Sequence, residues 1–425
     1  MPTASALHED PGSLSPFTTR QLSRIVGSVL LMIAVAVGVM ISRTPLQYDD
    51  WGTKDFIEYW AANQVALGGE NPYDPARLLA VEQAAGRADD VPLMMWNPPW
   101  LLVLMRPVLQ RSYGLAASTW MGVNVVMATL ACLLIASGYR RARLEAIDFV
   151  PAALGSLLSM PALMAIERGQ VGFLLLLVVA TAFWSIRHKH DLLAGAALSV
   201  LTVKPHLFFL VAVFAAILIW RERRWRIAIG AACGTGLLLL GTIATSPALV
   251  KLWWLSVISP PAGALPAYTW KTPTLAHAVR DLLLRWTGNG SAWPLQVIPI
   301  VAVVLFAIWL WRRSRMQTLD ELFPLALCLS VIAAPFGWTF DHAVLAVPQV
   351  IIFLRAFGEV DRSMRRWALS AAILLCHLGI VVQLVQTGTD YSGFWWFPLA
   401  ILAVWLMSSA WVPRSPSPAF RSTAM

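Results

Sequence analysis

Apolar runs of membrane length, broken by short polar or Arg-rich stretches, fill most of this chain. Ser23 to Ser42 is the first, and residues 114–138 form the next complete one. About 20 such residues cross a ~30 Å hydrocarbon layer as a helix, so the pattern predicts an all-α polytopic membrane protein, a helical bundle of about twelve spans. Trp96 to Leu109 interrupts the series. It includes Pro98-Pro99, carries Arg106-Pro107 and reaches only about two-thirds of a ~20-residue span, which predicts a re-entrant or surface-lying segment. The Ser23–Ser42 run exceeds a signal-peptide core and lacks an Ala-x-Ala cleavage site, which predicts a retained anchor. Residues 1–19 and 413–425, rich in Ser, Thr and Pro, read as disordered cytoplasmic tails flanking one integral-membrane domain, 20–412.

Composition strengthens this reading. Of 425 residues, 58% are hydrophobic and 13% charged, which excludes an ordinary soluble domain. The net charge of +9 would suit nucleic acid, but the basic residues gather in short loops between apolar runs, where they set orientation instead. They fall at Arg20–Arg24, Arg140–Arg143, Arg187–Lys189, Arg221–Arg226, Arg312–Arg315, Arg355–Arg366 and Arg414–Arg421. The positive-inside rule makes these cytoplasmic, with both termini inside. The first loop, 43–97, then faces outward, with Glu167–Gln170, Lys204–His206, the second large loop 246–292, Pro335–His342 and Thr387–Gly393. Nine acidic residues against four basic ones in 43–97 agree with that side. The four cysteines lie in apolar segments without a Cys-x-x-Cys pair, and no ligand cluster argues for a metal.

The first loop holds the unusual chemistry. Asp55-Phe56-Ile57-Glu58-Tyr59-Trp60 predicts a helix capped by Thr53 and stopped by Gly68-Gly69. Phe56, Trp60, Asn63 and Leu67 share one face; Asp55, Glu58 and Tyr59 share another. This predicts an amphipathic helix lying on the bilayer, its acids complementing the helix dipole and Asp55 held below the usual carboxylate range. Asn71-Pro72-Tyr73-Asp74-Pro75 follows as a rigid turn.

Asp-Phe-x-x-Tyr-x-x-Ala (Asp55, Phe56, Tyr59, Ala62) followed by Leu-x-Gly-x-Asn-Pro-Tyr-Asp (Leu67, Gly69, Asn71 to Asp74) resembles the first outer loop of family 87 glycosyltransferases. Further matches follow in the family's order: Asn97-Pro98-Pro99, Gly169-Gln170, Lys204-Pro205, and Trp338 with Asp341-His342. Asn97 stands where the family often has Tyr, Val171-Gly172 where an Asn is usual, and Asp341-His342 where paired histidines are.

The resemblance implies a GT-C-type bundle in the cytoplasmic membrane that moves mannose or a related hexose, with inversion, from a polyprenyl phosphate to a lipid- or glycan-linked acceptor. Asp55 resembles the family's catalytic carboxylate, which takes the acceptor hydroxyl's proton. The departing phosphate needs a cation: Lys204 first, then His206, Arg77, Arg168 or His342. Glu58, Tyr59, Asn71, Tyr73, Asn97, Gln170, Trp338 and Asp341 are the implied sugar and acceptor contacts. Structural roles stand beside these. Lys204 could snorkel from a turn made by Pro205, Gln170 could cap a helix, and Asp341 could be a helix-start acid. Asp49-Asp50 is a second acidic pair in the same loop. A twelve-span secondary transporter, or a lipid-linked glycan ligase or acyltransferase, is the alternative class.

Overall fold

The computed structural model describes residues 16–139, 153, 157–262, 264, 270–288, 291–313, 322–357, 363–387 and 391–410. The Arg140–Arg143 and Arg414–Arg421 stretches, Arg315, and most of both tails lie outside the described residues.

Among the described residues all regular structure is helical. The helices are α1 (Pro16–Ile41), α2 (Phe56–Leu67), α3 (Pro75–Ala84), α4 (Trp100–Leu109), α5 (Tyr113–Tyr139), α6 (Met160–Arg168), α7 (Gly172–Arg187), α8 (Asp191–Val200) and α9 (Pro205–Glu222). There follow α10 (Trp225–Thr245), α11 (Leu249–Ile258), α12 (Leu275–Thr287), α13 (Trp293–Arg313), α14 (Phe323–Ala333), α15 (Ala346–Phe357), α16 (Ser363–Thr387) and α17 (Trp396–Ala410). Among the described residues six helical stretches are long and apolar enough to cross a membrane: Tyr113–Tyr139, Pro205–Glu222, Trp225–Thr245, Trp293–Arg313, Thr339–Ala356 and Trp367–Thr387. Shorter apolar helices, Gly172–Arg187 and Phe323–Ala333 among them, pack beside these. Helix α4, with 10 residues, is about 15 Å long against a ~30 Å layer. It buries Leu101, Leu102, Met105, Val108 and Leu109 and exposes Leu104 and Arg106.

Burial divides the bundle into an enclosed centre and a lipid-type rim. The stretch Thr339–Ala356 is almost wholly enclosed by its neighbours. Helices α10, α13 and α16 instead expose Leu237, Leu240, Ile300, Leu305, Leu374 and Val385. Apolar faces of that size are stable against hydrocarbon, not water. Helices α8 and α10 approach through small residues, as membrane helices do. A Cβ on Gly195 would sit 2.0 Å from the Ile227 carbonyl oxygen, and one on Gly230 would sit 2.1 Å from that of Leu192. Gly230→Val should therefore destabilise the protein by at least about 1–3 kcal/mol, read as a lower unfolding midpoint in detergent.

Polar chemistry is segregated to the two ends. At one end Arg224 pairs with Asp191 and donates to the Ile186 carbonyl at 3.0 Å, and Lys189 meets Glu222 at 3.4 Å. Arg355 bonds Tyr139 and Ser408 there. The opposite end gathers the loops around residues 43–97, 167–170, 204, 270 and 338–342. Asn97 Nδ2 donates to the Val203 carbonyl at 3.3 Å, and Trp253 Nε1 donates to that of Trp96 at 3.1 Å.

Two local expectations change. Helix α2 runs over the expected residues, and Gly69 follows its end with φ +75°. It does not lie on a surface. Phe56, Ile57, Tyr59, Ala61, Ala62, Asn63 and Val65 are all buried, because α4 and α5 cover faces that local periodicity would leave free. Asn63 and Gln64 donate to the Leu109 carbonyl, Trp60 donates to that of Arg111, and Phe56 stacks on Trp120. Thr53 is also not the cap. Its hydroxyl donates back to the Asp50 carbonyl at 2.7 Å, and Asp55 occupies the N-cap position.

Candidate active site

The first loop is laced onto the end of α6 by its backbone. Gly52 N–H donates to the Glu167 carbonyl at 2.8 Å and Asp55 N–H to that of Arg168 at 2.9 Å. Trp120 Nε1 reaches the Gly169 carbonyl at 3.0 Å. Gly169 ends α6 in the left-handed region, φ +71°, and a Cβ there would lie 2.2 Å from the Gly52 carbonyl oxygen. Only glycine satisfies both demands. Gly169→Ala should cost about 1–2 kcal/mol in backbone strain, with the steric clash added, and lower both thermal stability and activity.

That lacing delivers four side chains to one point. Although Asp55 caps α2 by position, its side chain makes no capping bond and turns toward α6. Gln170 Nε2 donates to Asp55 Oδ2 at 3.1 Å, and Tyr59 Oη donates to Gln170 Oε1 at 2.7 Å. Arg168 Nη1 lies 3.5 Å from Asp55 Oδ1. The Asp55 side chain remains 15% exposed, so the carboxylate is reachable. Burial raises its proton affinity above that of an ordinary aspartate, while the Arg168 charge and the Gln170 bond oppose the rise. The expected depression at a helix start is thus reversed: desolvation outweighs the Arg168 charge and the Gln170 bond. One turn on, Glu58 is pushed up to about 8, by burial first and then by the Asp55 charge; the Tyr59 hydrogen bond and the Lys204 charge oppose this. At neutral pH Glu58 is therefore a neutral acid beside a carboxylate.

A second polar unit stands alongside. Lys204 follows the 3-10 turn Leu201–Val203 and directly precedes Pro205, the first residue of α9. Its ammonium lies 2.7 Å from Asp341 Oδ1 and 5.2 Å from the centre of the Phe340 ring. The other Asp341 oxygen accepts from Trp338 N–H at 2.9 Å, fixing the carboxylate in the 3-10 turn Thr339–Leu345. Lys204 and Asp341 are 7% and 1% exposed, a buried ion pair. One of the three ammonium donors is thereby taken.

The remaining predicted residues divide by position. His342 is buried, stacked on Phe397, and neither ring nitrogen has a hydrogen-bond partner among the described residues. His206 is half-buried, edge-on to Phe336. Arg77 lies on the surface and pairs with Glu70 at 3.2 Å, apart from the cluster. Asn71 Oδ1 accepts from Tyr73 N–H at 3.1 Å, and buried Tyr73 donates to the Asn97 carbonyl at 3.4 Å. Asn71, Tyr73 and Asn97 thus tie the first loop to the Lys204 turn. Asp50 closes a turn by accepting from Gln47 N–H, and Asp49 is largely exposed.

Two further features complete the surroundings of the site. Trp270 packs against Trp96 at 5.6 Å, Phe336 at 5.8 Å and Trp338 at 6.2 Å, forming an aromatic wall beside Lys204 and Phe340. Glu82, fully buried on α3, pairs with Arg87 and accepts from Leu93 N–H, clipping the first loop into one unit. The tryptophans around the second outer loop, Trp253, Trp254, Trp270 and Trp293, read from the sequence as an aromatic belt with some able to stack on sugar; Trp270 is the one that joins the wall. Nothing in the local pattern marks the Glu82–Arg87 pair.

Apolar helices that expose lipid-type faces, with carboxylates and cations gathered at one end, define an integral-membrane protein with a terminal polar site. The model of glycosyltransferase family 87 matches residues 96–335, more than half of the chain, and the protein belongs to that family. No curated protein and no solved structure is significantly similar to it. The matched stretch carries Asn97, Arg168, Gln170 and Lys204. Asp55, Glu58, Tyr59 and the Trp338–His342 turn lie outside it and meet it through the contacts above.

Proposed function

We propose that this glycosyltransferase moves mannose or another hexose from a polyprenyl phosphate to a lipid- or glycan-linked acceptor at the outer face of the cytoplasmic membrane, inverting the anomeric centre. One observation carries the reading: Asp55, held by Gln170 and Arg168, shares a layer with Lys204 at the end opposite the basic cluster. With the basic end cytoplasmic, as the positive-inside rule has it, the site is cut off from nucleotide sugars. A lipid-carried sugar is then the available donor.

In the reaction the acceptor hydroxyl oxygen attacks the anomeric carbon as the bond from that carbon to the phosphate oxygen breaks. Polyprenyl phosphate leaves with the electron pair, and the hydroxyl proton passes to the Asp55 carboxylate. The raised proton affinity of Asp55 makes it a stronger base than a surface aspartate. Lys204 and Arg168 offset the charge developing on the phosphate, and the Trp270–Trp338 wall offers apolar faces to a sugar or an isoprenoid.

Glu58 gives this reading a pH signature. Below about pH 8 it is neutral and adds no charge beside Asp55; above that it ionises and repels an incoming phosphate. Transfer should fall on the alkaline side with an apparent pKa near 8, and Glu58→Gln should abolish that limb. Initial rates across pH 6–10 measure it.

The test supplies labelled polyprenyl-phosphate mannose and an acceptor extract to membranes carrying the wild type or Asp55→Asn. Label should pass to acceptor only with the wild type. Equal transfer by both would remove Asp55 from the mechanism. Solute uptake into proteoliposomes without transfer from any lipid-linked sugar would favour a transporter.

A further inference from the structure

We infer that Gln170 is a positioning residue that aims the Asp55 carboxylate, and that Tyr59 sets which way the Gln170 amide points, neither side chain contacting substrate. The inference rests on Asp55 being the base.

Tyr59 is 0% and Gln170 4% exposed, whereas the Asp55 side chain at 15% is not sealed. A ligand entering the site therefore meets the carboxylate and not the groups behind it. A primary amide can face either way, since its oxygen accepts and its nitrogen donates. Here the choice is made on both sides. Tyr59 Oη lies 2.7 Å from Gln170 Oε1, and burial keeps that phenol protonated, so it donates. The amide nitrogen is then turned to Asp55 Oδ2, 3.1 Å away. The reverse orientation would set an amide oxygen against a carboxylate oxygen, two acceptors without a proton between them.

The consequence is geometric and electrostatic. Oδ2 is held by a donor while Oδ1 lies toward Arg168, which fixes the plane of the carboxylate relative to α6. The residues are 111 and 115 positions apart in sequence, so the chain forms only once the first loop is laced onto Gly169. A donor bonded to the charged form also favours ionisation, which keeps the base ready to accept a proton.

Steady-state kinetics on the full chain in nanodiscs, with polyprenyl-phosphate mannose as donor, test this through Tyr59→Phe, Gln170→Ala, the double variant and Asp55→Asn. Each single change should lower kcat by about 10- to 100-fold, the range a misplaced reacting group produces, with both KM values within about twofold. The double variant should be no worse than Gln170→Ala. In Gln170→Ala the acid limb of the kcat profile should move to higher pH, because Asp55 has lost a donor to its charged form. Tyr59→Phe keeps the ring and its packing, so it remains readable if Gln170→Ala folds poorly. A raised acceptor KM with unchanged kcat would make Gln170 a substrate contact and overturn the inference, as would fully multiplicative single effects. Undiminished transfer by Asp55→Asn would instead defeat the assignment of the base itself.

Discussion

Asp55→Asn should lower transfer by about 10²–10⁴-fold, the usual contribution of a positioned general base, with little change in the unfolding midpoint. Asparagine keeps the shape of the side chain and still accepts a hydrogen bond, but it cannot take the acceptor's proton. Stability should hold because the N-cap side chain makes no capping bond. The loop is anchored through the backbone, by Asp55 N–H on the Arg168 carbonyl and Gly52 N–H on that of Glu167, and the substitution spares both. Single-turnover rates alongside thermal unfolding separate the two effects.

Lys204→Met should be damaging in a different way. It removes a cation from the donor side and strands Asp341, which is 1% exposed, in the protein interior. Breaking such a pair costs about 3–5 kcal/mol, because the remaining charge stays desolvated. Expected results are a markedly lower unfolding midpoint together with lost donor affinity. Changing both, Lys204→Met with Asp341→Leu, should recover much of the stability, since an apolar pair of similar volume can replace a buried ion pair. Transfer should stay low. Full recovery of transfer by the double variant would confine Lys204 to a structural role.

Features set by local rules could be read from the sequence. The presence of helix α2, its stop at Gly68-Gly69 and the Asn71–Asp74 turn follow from local patterning and turn chemistry, whereas its start does not: Thr53 is not the cap. The end-to-end separation of basic and acidic loops was likewise visible, since charge placement follows topology. What lay hidden depends on residues far apart. The burial of α2 requires α4 and α5, and the Tyr59–Gln170–Asp55 chain requires the close approach at Gly169. Lys204 meets Asp341 across 137 positions. The sequence marked each of these as a polar residue at a loop, but not as partners of one another. The raised proton affinity of Asp55 has the same origin: the dipole is local, whereas desolvation comes from the neighbouring helices.

The most direct test uses the purified chain in nanodiscs with polyprenyl-phosphate mannose, an acceptor extract and, separately, nucleotide-linked mannose. The proposed mechanism requires release of polyprenyl phosphate equal to the glycosidic bonds formed, with inverted anomeric configuration, dependent on Asp55 and absent with the nucleotide donor. Transfer from the nucleotide sugar alone, or no transfer from any polyprenyl-phosphate sugar, would contradict it.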